Sequence, residues 1–477
     1  MSCLFLYYSA ILSEKMNLTD QIKHIETRID VGAIKIAFRG RRVQVYPWLK
    51  AKLFYKLITG AESMASPNKA MLIRQLKSFF YGFFNWFKSY NVWVFSSSEE
   101  RIKDGKFYFD KLFDVLHNFS ELKILHIELQ LFKKFPIGAV KSPHIVSKSF
   151  FLLQEEIVRR LLFRKIDIEN HALLEQICSE LNIDIDIQKQ LKKVLSQYLV
   201  MKFWLRIFKT PKVVLMTVSY ANFGYILAFK ERKIPVIEMQ HGVISEGHHG
   251  YLYASTLDPI NFPDVISVWS QEEAQFMTTG TQIPIATVQA TGRTIIDYYA
   301  QNTQFRQAQK RVCVSLQDLE LSDLLLETLL QINDKIEHPL DFYIQTRRTN
   351  TSDYQSKFEF TENFYFFEGN IYENILQSAI HVTVYSSSAL ESLALGTSNV
   401  FLDPTGRAQE IFERKLGANP YCHFLSTQTE LLNYFNKASL APAAAVRDAS
   451  QHLFEPDAIE NLKALLYQNM NENVSSL

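Results

Sequence analysis

Ile380-His381-Val382-Thr383-Val384-Tyr385, then Ser386-Ser387-Ser388, then a run over 389–395 closed by Gly396, then Asn399-Val400-Phe401-Leu402-Asp403, is the stretch on which the fold turns. Two short apolar, β-rich runs flank a segment of helix formers, with hydroxyl residues at the first boundary and a glycine near the second. Strand, helix and strand in that order are the rhythm of a parallel α/β sheet. The same rhythm appears upstream. Val213-Val214-Leu215-Met216-Thr217-Val218 has the look of a buried strand, Ser219 opens a helix to about Arg232, and Ile234-Pro235-Val236-Ile237-Glu238-Met239 is the next strand. Val265-Ile266-Ser267-Val268-Trp269 precedes a helix from Gln271, and an early strand stands at Val92-Trp93-Val94-Phe95. Beyond a hinge at 292–308, Arg311-Val312-Cys313-Val314-Ser315-Leu316, a helix over 323–336 and Asp341-Phe342-Tyr343-Ile344-Gln345 restart the alternation.

At 477 residues the chain exceeds the roughly 250–300 that one core holds, so two domains are expected. The first runs over 1–300 and carries a helical insertion at about 107–210, where strand signals thin out. The second runs over 301–440, and 441–477 is a linker with a C-terminal helix. Both halves are doubly wound, Rossmann-like α/β units expected to face each other across a cleft, with ligands at the carboxyl ends of their strands. A composition of 47% hydrophobic and 21% charged residues is that of a globular protein. The 51 basic residues nearly cancel the 50 acidic ones, which argues against a nucleic-acid partner. Cys3, Cys178, Cys313 and Cys422 form no CxxC pair, so neither a zinc motif nor a disulfide framework is expected and a reducing compartment is. The apolar run 3–12 is too short to span a membrane and lacks a basic flank, so a cytoplasmic protein is expected. Met16 makes a plausible start, with Thr19 or Asp20 capping a helix from Gln21, and residues 1–15 are an upstream extension or a docked N-terminal helix.

Gln240-His241-Gly242 directly follows a strand and leads to Ser245, His248, His249, Gly250 and Tyr251. Glycine there permits a sharp turn or a close approach by a ligand. His241 at a strand's carboxyl end suits phosphate binding or acid–base chemistry, against a plain structural or solvated loop histidine. The spacing of the three histidines is not that of ligands on one helix face, so no metal is expected. Ser386-Ser387-Ser388 offers hydroxyls and free amides for an anion. Alternatively Ser388-Ala389-Leu390-Glu391 is a capping box in which Glu391 folds back on the cap. Gln317 and Arg347-Arg348 also follow strands, and Arg347 suits bidentate pairing with phosphate or carboxylate, or simple solvation. Two stretches, 69–90 and 189–212, interleave Lys and Arg with Phe, Tyr and Trp, as at an anionic membrane surface or as a core helix with a basic edge.

Ile237-Glu238-Met239-Gln240-His241-Gly242-Val243-Ile244, Val268-Trp269-Ser270, Thr291-Gly292-Arg293 and the stretch from Val384 to Gly396 resemble bacterial surface-polysaccharide glycosyltransferases of the GT-B fold. They are similar to enzymes that use cytidine-linked donors, among them the CMP-dependent transferases of sialic acid-like sugars and Kdo and the polymerases of teichoic acid. The resemblance covers about 210–405. It implies a metal-independent enzyme without a cofactor, whose serines and a histidine hold the donor phosphate: Ser386, Ser387, Ser388 and His241. Gln240, Gly242, Gln317, Arg347 and Glu391, by their places in the motifs and after strands, are the further expected donor contacts, with the donor on the second domain and the acceptor on the first. The base is then expected from the first domain, at Asp104, or at Glu99 or Glu100. The acceptor is expected to be a lipid-linked or growing glycan of capsule or lipopolysaccharide, with the protein peripheral at the inner membrane face. These families often carry His-Pro after a second-half strand, where this chain has Gln345-Thr346-Arg347. A nucleotide-sugar 2-epimerase, a UDP-hexose transferase and a non-enzymatic capsule-assembly protein are the alternatives.

Overall fold

A computed structural model of the chain describes residues 20–59, 73, 76–129, 139–245, 248, 250–280, 287–301, 308–317, 319–346, 351–437 and 440–472. Arg347, Arg348, His249 and the extension expected at 1–15 lie outside the described residues. The rest divides into two compact units. One holds 20–102, Phe107–Gly292 and 458–472, while the other holds Arg293–Asp457 with the short segment Lys103–Lys106.

In the first unit β1 (Lys35–Phe38) and β2 (Arg41–Gln44) form an antiparallel hairpin. The main sheet uses β3 (Val92–Ser97), β6 (Ile124–Leu129), β7 (Ile145–Ser147), β8 (Val213–Met216), β9 (Val236–Met239), β10 (Val265–Val268) and β11 (Thr287–Ala290). In chain order β3 and β6 are separated by a two-stranded ribbon of its own, β4 (Arg101–Asp104) and β5 (Phe107–Asp110). The spatial order is β11-β10-β9-β8-β3-β6-β7, and every pairing in it is parallel. The second unit carries β12 (Ala308–Ser315), β13 (Asp341–Gln345), β14 (Phe364–Phe366), β15 (Ser378–Thr383), β16 (Ser398–Leu402) and β17 (Cys422–Leu425). Their order is β14-β13-β12-β15-β16-β17, again parallel throughout. The α/β class with two doubly wound, Rossmann-like units is as expected.

Parallel strands need helical crossovers, which cover both faces of the sheet, so central strands read as unbroken apolar runs. β8 (Val213-Val214-Leu215-Met216) is buried at every position for this reason. Chain order reverses between β3 and β8 in one sheet and between β12 and β15 in the other. Crossovers diverge to opposite faces at such points and leave a crevice beyond the strands' carboxyl ends.

Three expectations need correction. The span 107–210 is no purely helical insertion, because β6 and β7 lie inside it as full members of the main sheet. His126 and Glu128 interrupt the apolar run of β6, yet both are fully buried. The second unit begins at Arg293, ahead of the expected 301, and includes the helix Thr294–Gln301. The terminal helix Ala458–Glu472 belongs with the first unit, where Leu462, Leu465, Leu466 and Met470 pack among Val92, Val94, Val213, Leu215 and Ile237.

Leu466→Ala, at a fully buried position, is expected to cost about 2–5 kcal/mol in urea unfolding of the first unit. A loss below about 0.5 kcal/mol, the range of ordinary surface changes, would show that the terminal helix does not close this core.

Candidate functional site

The order reversal in the second unit brings the ends of β12 and β15 side by side, with Ser315 opposite Thr383 in the ladder. Just past them the chain lays out several of the residues singled out from sequence. Gln317 is buried, its amide N–H donates to Ser322 Oγ at 3.0 Å, and its side-chain Oε1 accepts from the Tyr385 amide at 3.3 Å. Gln317 therefore ties the end of β12 to the start of the serine loop. Ser386 Oγ accepts the Ser388 amide at 3.3 Å, and Ser386 and Ser387 are half-buried on that loop.

Ser388 faces inward. Its hydroxyl lies 3.3 Å from His381 Nε2, which Ser315 Oγ approaches to 2.7 Å. His381 Nδ1 meets Asn399 Oδ1 at 2.8 Å. An amide oxygen only accepts, so Nδ1 carries the ring proton and Nε2 accepts from both serines. Full burial pushes the His381 imidazole down to about 4, which keeps it neutral. Serine, histidine and asparagine in this order resemble a nucleophile relay, but His381 and Asn399 are fully buried and Ser315 nearly so. The relay is a polar pin through β12, β15 and β16.

Glu391 does not close a capping box. The helix Ser388–Ala394 has Ser387 at its cap with no side-chain cap bond. The buried Glu391 carboxylate instead pairs with Arg293 and accepts from Tyr372 Oη at 2.9 Å. A lone guanidinium buried at Arg293 demands a carboxylate, and that demand outweighs a cap. The capping box sits elsewhere, at Asn370 and Glu373.

In the first unit Gln240 ends β9, and its side chain is fully engaged. Nε2 donates to Gly242 O at 2.9 Å and to Glu273 Oε1 at 2.8 Å, while Oε1 accepts the Trp269 amide at 2.8 Å. Gln240 is a latch between strand ends, with neither side-chain N–H left to donate to a phosphate. His241 is half-buried and meets His248 edge-on, with ring centroids 6.4 Å apart. His248 lies over Tyr251 at 4.5 Å, and burial, helped by His241, pushes it down to about 4. Beneath them the buried Glu238 carboxyl accepts from Tyr251 Oη at 2.6 Å and from the Ser219 amide at 3.0 Å, and desolvation raises its pKa. Gly242 is not in the left-handed region, and a Cβ there would meet nothing within 4 Å. Its use is the open space it leaves, whereas a Cβ on Gly250 would fall 2.5 Å from the Tyr220 ring.

Two features of this unit carried no motif. Val218, just past β8 at the order reversal, has φ 55°. A β-branched residue in that region is strained, and such strain collects at functional turns. Behind the turn Lys148 is buried, donates to Asn222 Oδ1 at 2.8 Å and lies 4.9 Å from the Tyr225 ring centre, and burial lowers its ammonium to about 8. Asn222 in turn holds the Thr217 and Val218 carbonyls. Asp104 ends β4 beside Gly105, and its charge helps raise the Glu373 carboxyl and the Tyr299 hydroxyl. Asp104 falls in the second compact unit, with the serine loop, and not in the first, from which the base is expected, whereas His241 lies in the first.

The two basic and aromatic stretches share one cluster. Phe87 meets Phe208 at 5.7 Å, Phe208 stacks on Trp204 at 4.5 Å, and Phe150 touches both Phe83 and Trp204. Above it Phe80 and Phe84 are 71% and 81% exposed, and Phe203 and Ile207 are about half exposed. Lys77, Lys88, Arg206 and Lys209 lie exposed in the same segments. No described helix is long and apolar enough to cross a membrane.

No protein-family model matches the sequence, and no curated protein does. Among solved structures the chain is similar to S. aureus MnaA in a co-structure with UDP, at 10% identity and a TM-score of 0.48, over 80% of this chain and 98% of that one. It is also similar to the UDP-GlcNAc 2-epimerase of Neisseria meningitidis bound to UDP-GlcNAc, at 15% identity and a TM-score of 0.43, over 76% and 97% of the two chains. A third is the spinosyn rhamnosyltransferase SpnG, at 13% identity and a TM-score of 0.43, over 76% and 95%. With such scores, the fold assignment stands on the strand orders given above.

The neutral, buried His381 binds fewer protons folded than unfolded, so its contribution to stability is complete above about pH 6.5 and is lost as pH falls toward about 4. His381→Gln is expected to flatten the wild-type decline in unfolding free energy over that window, measured by urea titration at stepped pH. An unchanged slope would refute the neutral pin.

Proposed function

We propose that this chain is a metal-independent glycosyltransferase that moves a sugar from a nucleotide-activated donor to a surface glycan. One observation carries the proposal: the switch point of the second sheet is where Gln317 and the half-buried Ser386 and Ser387 converge, and switch points are where α/β sheets hold ligands. There the serine hydroxyls and loop amides receive the donor phosphate. His241, next to the open space at Gly242, is a phosphate-binding residue of this scheme, and Asp104 takes the acceptor proton. The acceptor oxygen bonds to the anomeric carbon as the bond from that carbon to the nucleotide phosphate breaks. The phosphate leaves with the electron pair, and positioned donors stabilise it. The donor is a CMP-linked nonulosonic acid or Kdo, on the resemblance of the His-Gly and Ser-Ser-Ser motifs. Arg347 is a further donor contact in this scheme.

The acceptor is a lipid-linked or growing glycan of capsule or lipopolysaccharide, reached at the inner face of the cytoplasmic membrane. What supports this is the exposed aromatic cluster with its basic neighbours, because an apolar patch among cations fits an anionic bilayer. A soluble 2-epimerase has no use for such a surface.

Melting temperatures with CMP, CDP, UDP and GDP test the donor. A ligand at 100 times its Kd adds about 2.7 kcal/mol, enough to shift the transition visibly. CMP is expected to stabilise the wild type and not Ser387→Ala. Stabilisation by UDP, with turnover in the absence of acceptor, would replace the proposal with an epimerase. No shift with any nucleotide would leave a non-enzymatic assembly protein.

Co-sedimentation with phosphatidylglycerol vesicles is expected for the wild type. It should fall at least about tenfold in Phe84→Ser/Phe203→Ser, since each buried aromatic contributes about 1.5–3 kcal/mol. Equal binding by the double variant would sink the membrane assignment.

A further inference from the structure

Away from the strand ends, three side chains of the first unit bring one ligand atom each to within 4.8 Å of one another. Asp114 and His117 lie on the short 3-10 turn Asp114–Asn118, and His126 lies within β6. His117 Nε2 and His126 Nε2 are 3.0 Å apart, and each is 3.6 Å from Asp114 Oδ1. A triangle with sides of 3.0, 3.6 and 3.6 Å has a centre about 2 Å from every corner, which is the length of a zinc–imidazole or zinc–carboxylate bond. Without an ion the arrangement is poor. The two ring nitrogens can share only one proton, and 3.6 Å is beyond hydrogen-bond reach of the carboxylate.

The surrounding charge points the same way. Asp110, Asp114 and Glu128 are buried here, and Arg101 is the buried cation among them, pairing with Glu128 at 2.8 Å and with Asp114 at 3.2 Å. The carboxylates are also held rigidly. Asp114 Oδ2 accepts the Asp110 amide at 2.8 Å and its Oδ1 accepts the Ser142 hydroxyl, while Asp110 accepts from Ser96 and from the Leu112 amide. This is an oriented outer shell of the kind that metal-bound carboxylates have. His126 and Asp114 are sealed in, but the His117 side chain is 21% exposed and gives an ion and a water ligand a way in.

We propose that Asp114, His117 and His126 form a zinc site that fastens the Asp114–Asn118 turn to β6. Two imidazoles and one carboxylate with a fourth position open to water make a donor set suited to Zn2+. The site is independent of the transferase reading and takes no part in sugar transfer.

The test uses the full chain, stripped with a chelator and then given two equivalents of Zn2+ or Co2+. Wild type is expected to retain one zinc per chain after desalting, to melt higher with zinc than without, and to give the strong visible absorption of low-coordinate Co2+. His117→Gln alters the partly exposed ligand, keeps a polar side chain and should melt like the zinc-free wild type. Its zinc affinity should fall about 100-fold or more, and the Co2+ absorption should vanish. Failure of wild type to retain zinc would overturn the proposal. So would equal retention by His117→Gln, or loss of zinc from His241→Ala instead, because either places the ion elsewhere. Should His117→Gln melt below the stripped wild type, the Co2+ spectrum of wild type alone decides, and its absence is a refutation.

Discussion

A parallel strand cannot be followed by its neighbour without a crossover, and the crossover has a fixed hand. A sheet that grows from a central strand in both directions must therefore change faces once, and at that place its carboxyl-end loops part. In this chain the constraint acts twice, between β3 and β8 and between β12 and β15. Much of what looks functional gathers at those two places. The strained Val218 turn and buried Lys148 lie beside the first, and Gln317 with the serine loop lies beside the second.

Placing polar chemistry against buried strand ends requires polar groups under the surface, and each needs a partner. The protein meets this with closed networks. Gln240 spends its whole amide on Gly242, Glu273 and Trp269, and His381 joins three strands. Arg101 links Asp114 to Glu128, whose Oε1 accepts from Ser98 just past the end of β3. A cation bound at Asp114 is thus only a few contacts from the first switch point, and would stiffen the support under it.

The strands most visible in the sequence were those with uninterrupted apolar runs. Asp341–Gln345 was placed with its ends, and the others to within a few residues. β6 was missed because a buried histidine and a buried glutamate break its pattern, and their burial depends on Arg101, Asp114 and His117, partners no local window contains. The same blindness explains Gln240 and Glu391. Gln240 stands just past β9 and Glu391 in the helix after the serine loop, but which side chains are already spent depends on residues such as Trp269 and Arg293 that are distant in sequence. Motif spacing could name the loops that lie past the strand ends. It could not say which members of those loops are structural.

The helix Ala458–Glu472 has a consequence for biosynthesis. Its leucines cover a sheet face made of Val92, Val94, Val213, Leu215 and Ile237, all translated long before it. At about 5–20 residues per second, the intervening unit Arg293–Asp457 takes on the order of ten seconds to emerge. For that interval the nascent first unit displays an apolar face, which is a natural substrate for a ribosome-associated chaperone. The second unit, continuous over those residues, is free to fold first.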